Sequence, residues 1–363
     1  MNTVIKYRKM LIALILSGLF IFLLYINTGI VNAKKDIDTS GMEITNSGVL
    51  IKYTDTNDNN HSITIPKEVK EIGEGAFQGC YRITEVKFEK PDEIKSIGKS
   101  AFSGCKALKE FIVPKNIYIL EDNTFNGCAK LKQVKFNKHL QSIGESCFAG
   151  CKSLNKIKFP DNLEYILDNA FSNCESLGTI KFPDGLLYIG DRAFSGCTRL
   201  KTAKKNMPVC LIRLGNAAFQ NCTELEEIKF GVNLSTLSDN IGDIKNIGDL
   251  ENIGALGENC FSGCSNLKKV VFKNGKYKKG GKLVDSKNTQ GIRRLGAEIF
   301  TNCKNLKEVV IGDYFIESID DSIFEGCRGT IVIKAPKWVI EKSIKEFVER
   351  VKYNDLTIKY KAL

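Results

Sequence analysis

Apolar residues recur along this chain at offsets that neither a single helix nor a single strand would produce, and the same offsets return ten times between residues 69 and 336. Cys80, Cys105, Cys128, Cys151, Cys174, Cys197, Cys222, Cys264, Cys303 and Cys327 mark the register. Three positions before each stands phenylalanine, from Phe77 to Phe324. Eight and eleven before it stands Ile, Leu or Val, as in Ile143 and Leu140 ahead of Cys151. Three after it is Leu in eight copies, with Ile83 first and Thr330 last, and six after is always apolar, as in Val86, Val134 and Ile157. A period of this kind settles architecture before any single motif does.

The unit reads I-x-x-I-G-x-x-A-F-x-G-C-x-x-L-x-x-I-x-F-P. The residue before the cysteine is Gly in seven copies and Asn in three (Asn173, Asn221, Asn302), and these two residue types share tolerance of a left-handed backbone. A tight turn with positive φ is therefore expected there. After the cysteine, the run from Leu131 to Phe136 alternates apolar and polar residues, the mark of a short strand. Pro114, Pro160, Pro183 and Pro336 end such runs, because proline cannot donate to a ladder. The I-x-x-I-G-x-x-A-F stretch is too short for a helix and predicts extended and single-turn pieces. A 23-residue unit cannot bury its own apolar face, so copies must stack and share one core.

The runs C-x-x-L-x-x-I-x-F-P and I-G-x-x-A-F-x-G-C resemble the BspA-type, or treponemal, class of bacterial leucine-rich repeats, and the resemblance covers about three quarters of the chain. It implies an α/β-type repeat solenoid, curved, with its parallel β-sheet on the concave face. It further implies a surface or secreted protein that binds other molecules, as adhesins and matrix binders do.

Outside the repeat, Lys6, Arg8 and Lys9 precede an apolar run from Met10 to Ile26, and Val31-Asn32-Ala33 follows. That order predicts a secretory signal over residues 1–33, or a retained membrane anchor through residues 10–26. Residues 34–68 read as an N-terminal β cap, with strands at Gly48 to Tyr53 and Ser62 to Pro66 around a polar hairpin turn. The solenoid spans 69–336, and residues 337–363 read as a helix and strand cap built on Trp338, Val339, Ile344, Phe347 and Val351. Two insertions, about 231–252 and 273–291, stretch the repeat spacing to 42 and 39 residues. Both follow the strand and should form one protrusion, the second carrying Lys276, Lys278, Lys279 and Lys282.

An exported chain with thirteen cysteines would ordinarily carry disulfides, yet ten of these hold one repeat position. Stacking would set them in a ladder with parallel side chains, so shielded, unpaired thiols are expected. Cys147 and Cys260 stand where other copies have Ala, and no metal site is expected of them. Cys210 lies in a two-residue expansion placed before Leu211 and is the candidate for reactivity.

Seven positions after the repeat cysteine come Lys87, Lys135, Lys158, Lys181, Lys204, Lys229 and Lys334, with Ile112, Val271 and Val310 in the other three copies. Neighbouring strands would align these ammonium groups, a candidate stripe for a protein or acidic glycan; the alternative is a merely solubilising face. The formal charge of +11 becomes +8 without Lys6, Arg8 and Lys9, a modest excess that favours acidic partners. Nucleic acid is not an expected partner, since no recognised module occurs. Catalysis is not expected either: His61 and His139 are the two histidines, and the P-loop, G-x-S-x-G and H-E-x-x-H patterns are missing. Asp55, Asn57 and Asp58 lack the glycine and glutamate of a calcium loop, and Asp320 and Asp321 read as solvated turn residues. No cofactor is expected.

Overall fold

The computed structural model describes residues 36–37, 41–56, 58–202, 207–208, 211, 213–230, 256–272, 276–279, 282–285, 294–312, 316 and 318–363. The segment 1–33, the insertion 231–252, Lys204 and Cys210 lie outside the described residues.

Each repeat folds into one coil, and the coils stack in chain order as a parallel solenoid. The strand after the cysteine pairs with its counterparts one coil away, as Ile83–Phe88 does with His61–Ile65 on one side and Glu110–Ile112 on the other. Farther along, Glu227–Phe230, Lys269–Phe272, Glu308–Ile311, Gly329–Ala335 and Leu356–Ala362 form a separate five-stranded parallel sheet from the same repeat position. The I-G segment forms a second parallel sheet of two-residue strands: Ile119–Leu120, Ser142–Ile143, Tyr165–Ile166, Tyr188–Ile189 and Arg213–Leu214. Two residues suffice because one points inward and the chain then turns.

The turn is itself bonded from coil to coil. The N–H of each repeat phenylalanine donates to the carbonyl four positions before the next coil's cysteine, from Phe77 to Ala101 at 2.7 Å through Phe300 to Ile323 at 3.0 Å. All ten residues before the cysteine adopt φ between 58° and 76°, including Asn173, Asn221 and Asn302. A second left-handed column, five positions before the cysteine, recurs in nine copies with φ between 53° and 61°. It holds Ser100, Asn123, Ser146, Arg192, Ala217 and Glu298 among others, so residue type alone does not announce it.

The core is a set of columns running the length of the stack. The repeat phenylalanines from Phe77 to Phe324 stack face to face, with centroids 5.0 to 5.9 Å apart and planes within 14° of parallel. Phe136, Phe159 and Phe182 make a second stack, edge-on to the first. Gly144 of the I-G pair has no side chain for a different reason from the left-handed glycines: a Cβ there would stand 2.7 Å from the Asp122 nitrogen of the preceding coil.

Three expectations are corrected. Trp338, expected in the core of the C-terminal cap, is 39% exposed. Val49–Tyr53 and His61–Ile65 do not form a hairpin: Val49–Tyr53 pairs antiparallel with Met42–Ile44 and parallel with Glu71–Ile72, while His61–Ile65 pairs with Ile83–Phe88. The polar segment between them is thus a solenoid corner, where Tyr53 Oη meets His61 Nε2 at 3.0 Å. The two-residue expansion in the coil after Cys197 lies upstream of Met207, because the Met207 N–H already bonds the Lys229 carbonyl at 2.7 Å and Leu211 bonds Pro208 as in ordinary coils. At the far end, residues 337–350 form a helix with an internal π-turn, burying Val339, Ile340, Ile344 and Phe347. Leu356–Ala362 then pairs with Gly329–Ala335.

Candidate functional site

The outer face of the long-strand sheet carries the lysine positions, because the residues on either side of them, such as Val134 and Phe136, turn inward. Lys135 pairs in register with Ile112, and the Gln133 to Lys156 bridge carries the register onward to Lys158. The stacked Phe159 and Phe182 keep Lys158 and Lys181 in corresponding places.

Electrostatics divides this row. Lys87 pairs with Glu85 at 3.1 Å and Lys229 with Glu227 at 3.0 Å, each two residues back on its own strand. Lys334 and Lys269 both reach Glu308, at 2.5 Å each, and their hydrogen bonds hold the Glu308 carboxyl below its usual range. Lys135, Lys158 and Lys181 are exposed and make no ion pair with any described residue. Ile112 is 59% exposed and Val271 is buried. In the coil after Cys197 the register is displaced by one residue, Thr179 pairing with Lys201. The open cationic surface is therefore the three-coil block around Lys158, widened by Lys132 and Lys156. Sequence reasoning had the signal for this division in Glu85 and Glu227, which share a strand face with Lys87 and Lys229.

The second insertion folds as an antiparallel hairpin, Lys276–Lys279 against Lys282–Asp285. Its register pairs Lys276 with Asp285, Lys278 with Leu283 and Lys279 with Lys282, so the four lysines are spread over several rungs.

All twelve described cysteines are free and buried. Each ladder thiol from Cys105 to Cys327 donates to the carbonyl of the repeat phenylalanine one coil back, at 3.1 to 3.2 Å. The column thus needs a small side chain with a donor, a demand the composition alone does not reveal. Burial pushes these thiols up, to about 12 for Cys197, Cys264 and Cys327. Since the thiolate is the reactive form, a thiol-specific reagent at pH 8 should leave these twelve unmodified and label them only on unfolding. Labelling of Cys174 or Cys197 in the native protein would contradict the geometry.

The turn after the short-strand sheet holds carboxylates that sequence reasoning had left to solvent. Asp122 Oδ1 accepts from the Glu145 N–H at 2.9 Å, Asp168 from Asp191 at 2.8 Å, Asp191 from Asn216 at 2.9 Å, and Asn216 Oδ1 from Glu258 at 2.9 Å. Each caps the same position of the next coil. Asp320 likewise takes the Ser322 N–H at 2.9 Å, and Asp321 pairs with Arg350 at 2.7 Å. Beside this column Arg213 lies 5.3 Å over the Tyr188 ring, and burial, then Asp168, pushes Tyr188 up to about 12. Among the described residues no group of three or more His, Cys, Asp or Glu is placed to hold a metal, and no helix is long and apolar enough to cross a membrane.

The sequence matches the family described as the BspA type leucine rich repeat region over residues 52–177, 142–268, 203–288 and 273–361. No curated protein matches. Among solved structures, a leucine-rich repeat protein of T. pallidum is similar at 23% identity with a TM-score of 0.41, covering 56% of this chain and 85% of its own. A leucine-rich cell surface protein of Faecalibacterium prausnitzii is similar at 19% identity with a TM-score of 0.40, covering 91% and 95%. The pneumococcal vaccine antigen PcpA is similar at 17% identity with a TM-score of 0.39, covering 83% and 79%.

Proposed function

Because this chain belongs to the BspA-type leucine-rich repeat family, we propose that it is a non-catalytic binding protein of the cell surface, recognising an anionic partner through the lysine block of its long-strand sheet. The observation that carries this reading is the unpaired state of Lys135, Lys158 and Lys181 among the described residues, on a face where the other described lysines of the row are neutralised by Glu85, Glu227 and Glu308. A row of like charges at the strand spacing of about 4.8 Å repels itself and is relieved by a counter-charged ligand. Lys6, Arg8 and Lys9 ahead of the apolar run from Met10 to Ile26 support export, with attachment through residues 10–26 or release after Ala33. A protein or an acidic glycan would meet the chemistry of the face.

The test is binding of the purified protein to matrix proteins and acidic polymers, heparin and polygalacturonate among them, at about 50 and 500 mM salt. The same array is run with Lys135→Gln, Lys158→Gln and Lys181→Gln combined. A ligand lost in the variant and weakened tenfold or more by salt is the expected outcome. Binding indifferent to both salt and substitution would remove the lysine block from the site. It would favour a second reading, an envelope scaffold acting through uncharged contacts, to which the exposed Ile112, Tyr118 and Ile119 lend themselves.

A further inference from the structure

The coils that carry the open lysines are charged with opposite sign on their two sheets. In the segments after Cys128, Cys151 and Cys174 that run along the long-strand side stand Lys132, Lys135, Lys156, Lys158 and Lys181, with no carboxylate between residues 131 and 136, 154 and 159, or 177 and 182. On the short strands and following turns stand Glu121, Asp122, Glu145, Glu164, Asp168 and Asp191, against a single cation, Arg192. Lys99 and Arg213 pair with Asp122 and Asp191 at the two ends of this acidic column, at 2.8 and 3.1 Å. Glu121, Glu145, Glu164 and Asp168 make no ion pair with any described residue.

Both rows advance by one coil at a time. The anionic column therefore has the same period as the lysine row, and a second copy of this chain presents it at that period without adjustment. A glycan or an unrelated protein would match the period only by coincidence.

We propose that the long-strand face of one copy docks on the short-strand face of another, lysine row against carboxylate column. This rests on the reading of the lysine block as an anion-binding surface and names its partner. The two faces differ, so the contact is heterologous. One copy keeps its own acidic column free for a third, and association runs on to short open chains unless the rotation closes a ring.

The experiment measures weight-average mass by light scattering on the full chain, with circular dichroism as a check on folding. One variant carries Lys135→Glu, Lys158→Glu and Lys181→Glu. The other carries Glu145→Lys and Glu164→Lys, two exposed carboxylates that cap no backbone group. Expected is a mass that rises with protein concentration at about 50 mM salt and falls at 500 mM. Each variant alone should stay at the high-salt mass at both ionic strengths, and an equimolar mixture should recover the larger species, since the intact rows of the two variants complement each other. Equal mass for native protein, variants and mixture would overturn the proposal. So would loss in the variants without recovery on mixing. If the mass is invariant while Lys135→Gln, Lys158→Gln and Lys181→Gln abolish heparin binding, self-association falls and the anion-binding reading stands.

Discussion

Phe171→Ala is expected to cost about 3–5 kcal/mol of stability, measured as the shift of the urea unfolding midpoint. Phe171 is fully buried, stacked between Phe148 at 5.1 Å and Phe194 at 5.2 Å, with Phe159 edge-on at 5.7 Å. Truncation removes contacts on three sides at once, and the coil cannot collapse into the gap because backbone hydrogen bonds on both sides hold its spacing. In a solenoid each coil contacts only its neighbours, so the loss falls on two interfaces in the middle of the stack. The expected curve is therefore split, the coils before and after Phe171 unfolding separately. Phe171→Leu, which keeps most of the volume, should lose far less. A loss below about 1 kcal/mol for the alanine variant would mean that the phenylalanine column does not carry the core.

Alkaline lability is the second large effect. An unfolded thiol ionises near pH ~8.5, whereas burial holds the ladder thiols above that, to about 11 for Cys80 and about 12 for Cys197, Cys264 and Cys327. Above that pH the unfolded chain has released protons that the native state retains, so stability falls as pH rises. The contribution is complete below the unfolded value and drains away up to the folded one, at about 1.4 kcal/mol per pH unit for each thiol. All twelve described thiols are buried and shifted in the same direction, so their losses add as pH rises. A loss of stability that steepens above the unfolded thiol value of about 8.5 is expected, followed by circular dichroism. Lysine and tyrosine titrate nearby, so the control is Cys174→Ser with Cys197→Ser: serine keeps a donor for the Phe148 and Phe171 carbonyls but does not ionise. A shallower pH slope in that variant is the expected result, and an unchanged slope would assign the lability elsewhere.

Much of the fold was legible because the repeat reports itself ten times. The inward columns, the left-handed turn before each cysteine and the unpaired thiols each follow from one residue type held at one offset. The second left-handed column was not legible, because Arg192, Ala217 and Glu298 have nothing chemical in common. Their conformation is imposed by hydrogen bonds from the next coil, as Arg192 donates to Asn216 and Ala217 to Glu258. The hairpin expected between Tyr53 and His61 failed for a related reason. A polar turn between two short strands predicts local pairing, but Val49–Tyr53 pairs with Met42–Ile44 and Glu71–Ile72, and His61–Ile65 with Ile83–Phe88 one coil away.

The candidate site shows the same division. That lysines share an outward row was decided by sequence, since strand alternation at a constant offset leaves them no other place. Which of them stay open was decided partly within the strand, where Glu85 answers Lys87 and Glu227 answers Lys229, and partly by stacking, which brings Glu308 of the neighbouring strand to Lys334 and Lys269. The sequence by itself determined the coil, its core columns and the outward row of lysines, because those depend on residues close in the chain. Only the stacked structure decided the register slip at Lys201, the caps from Asp122 to Asn216 and the separation of opposite charge onto two sheets, because those depend on residues about 23 or more positions apart being brought within hydrogen-bonding distance.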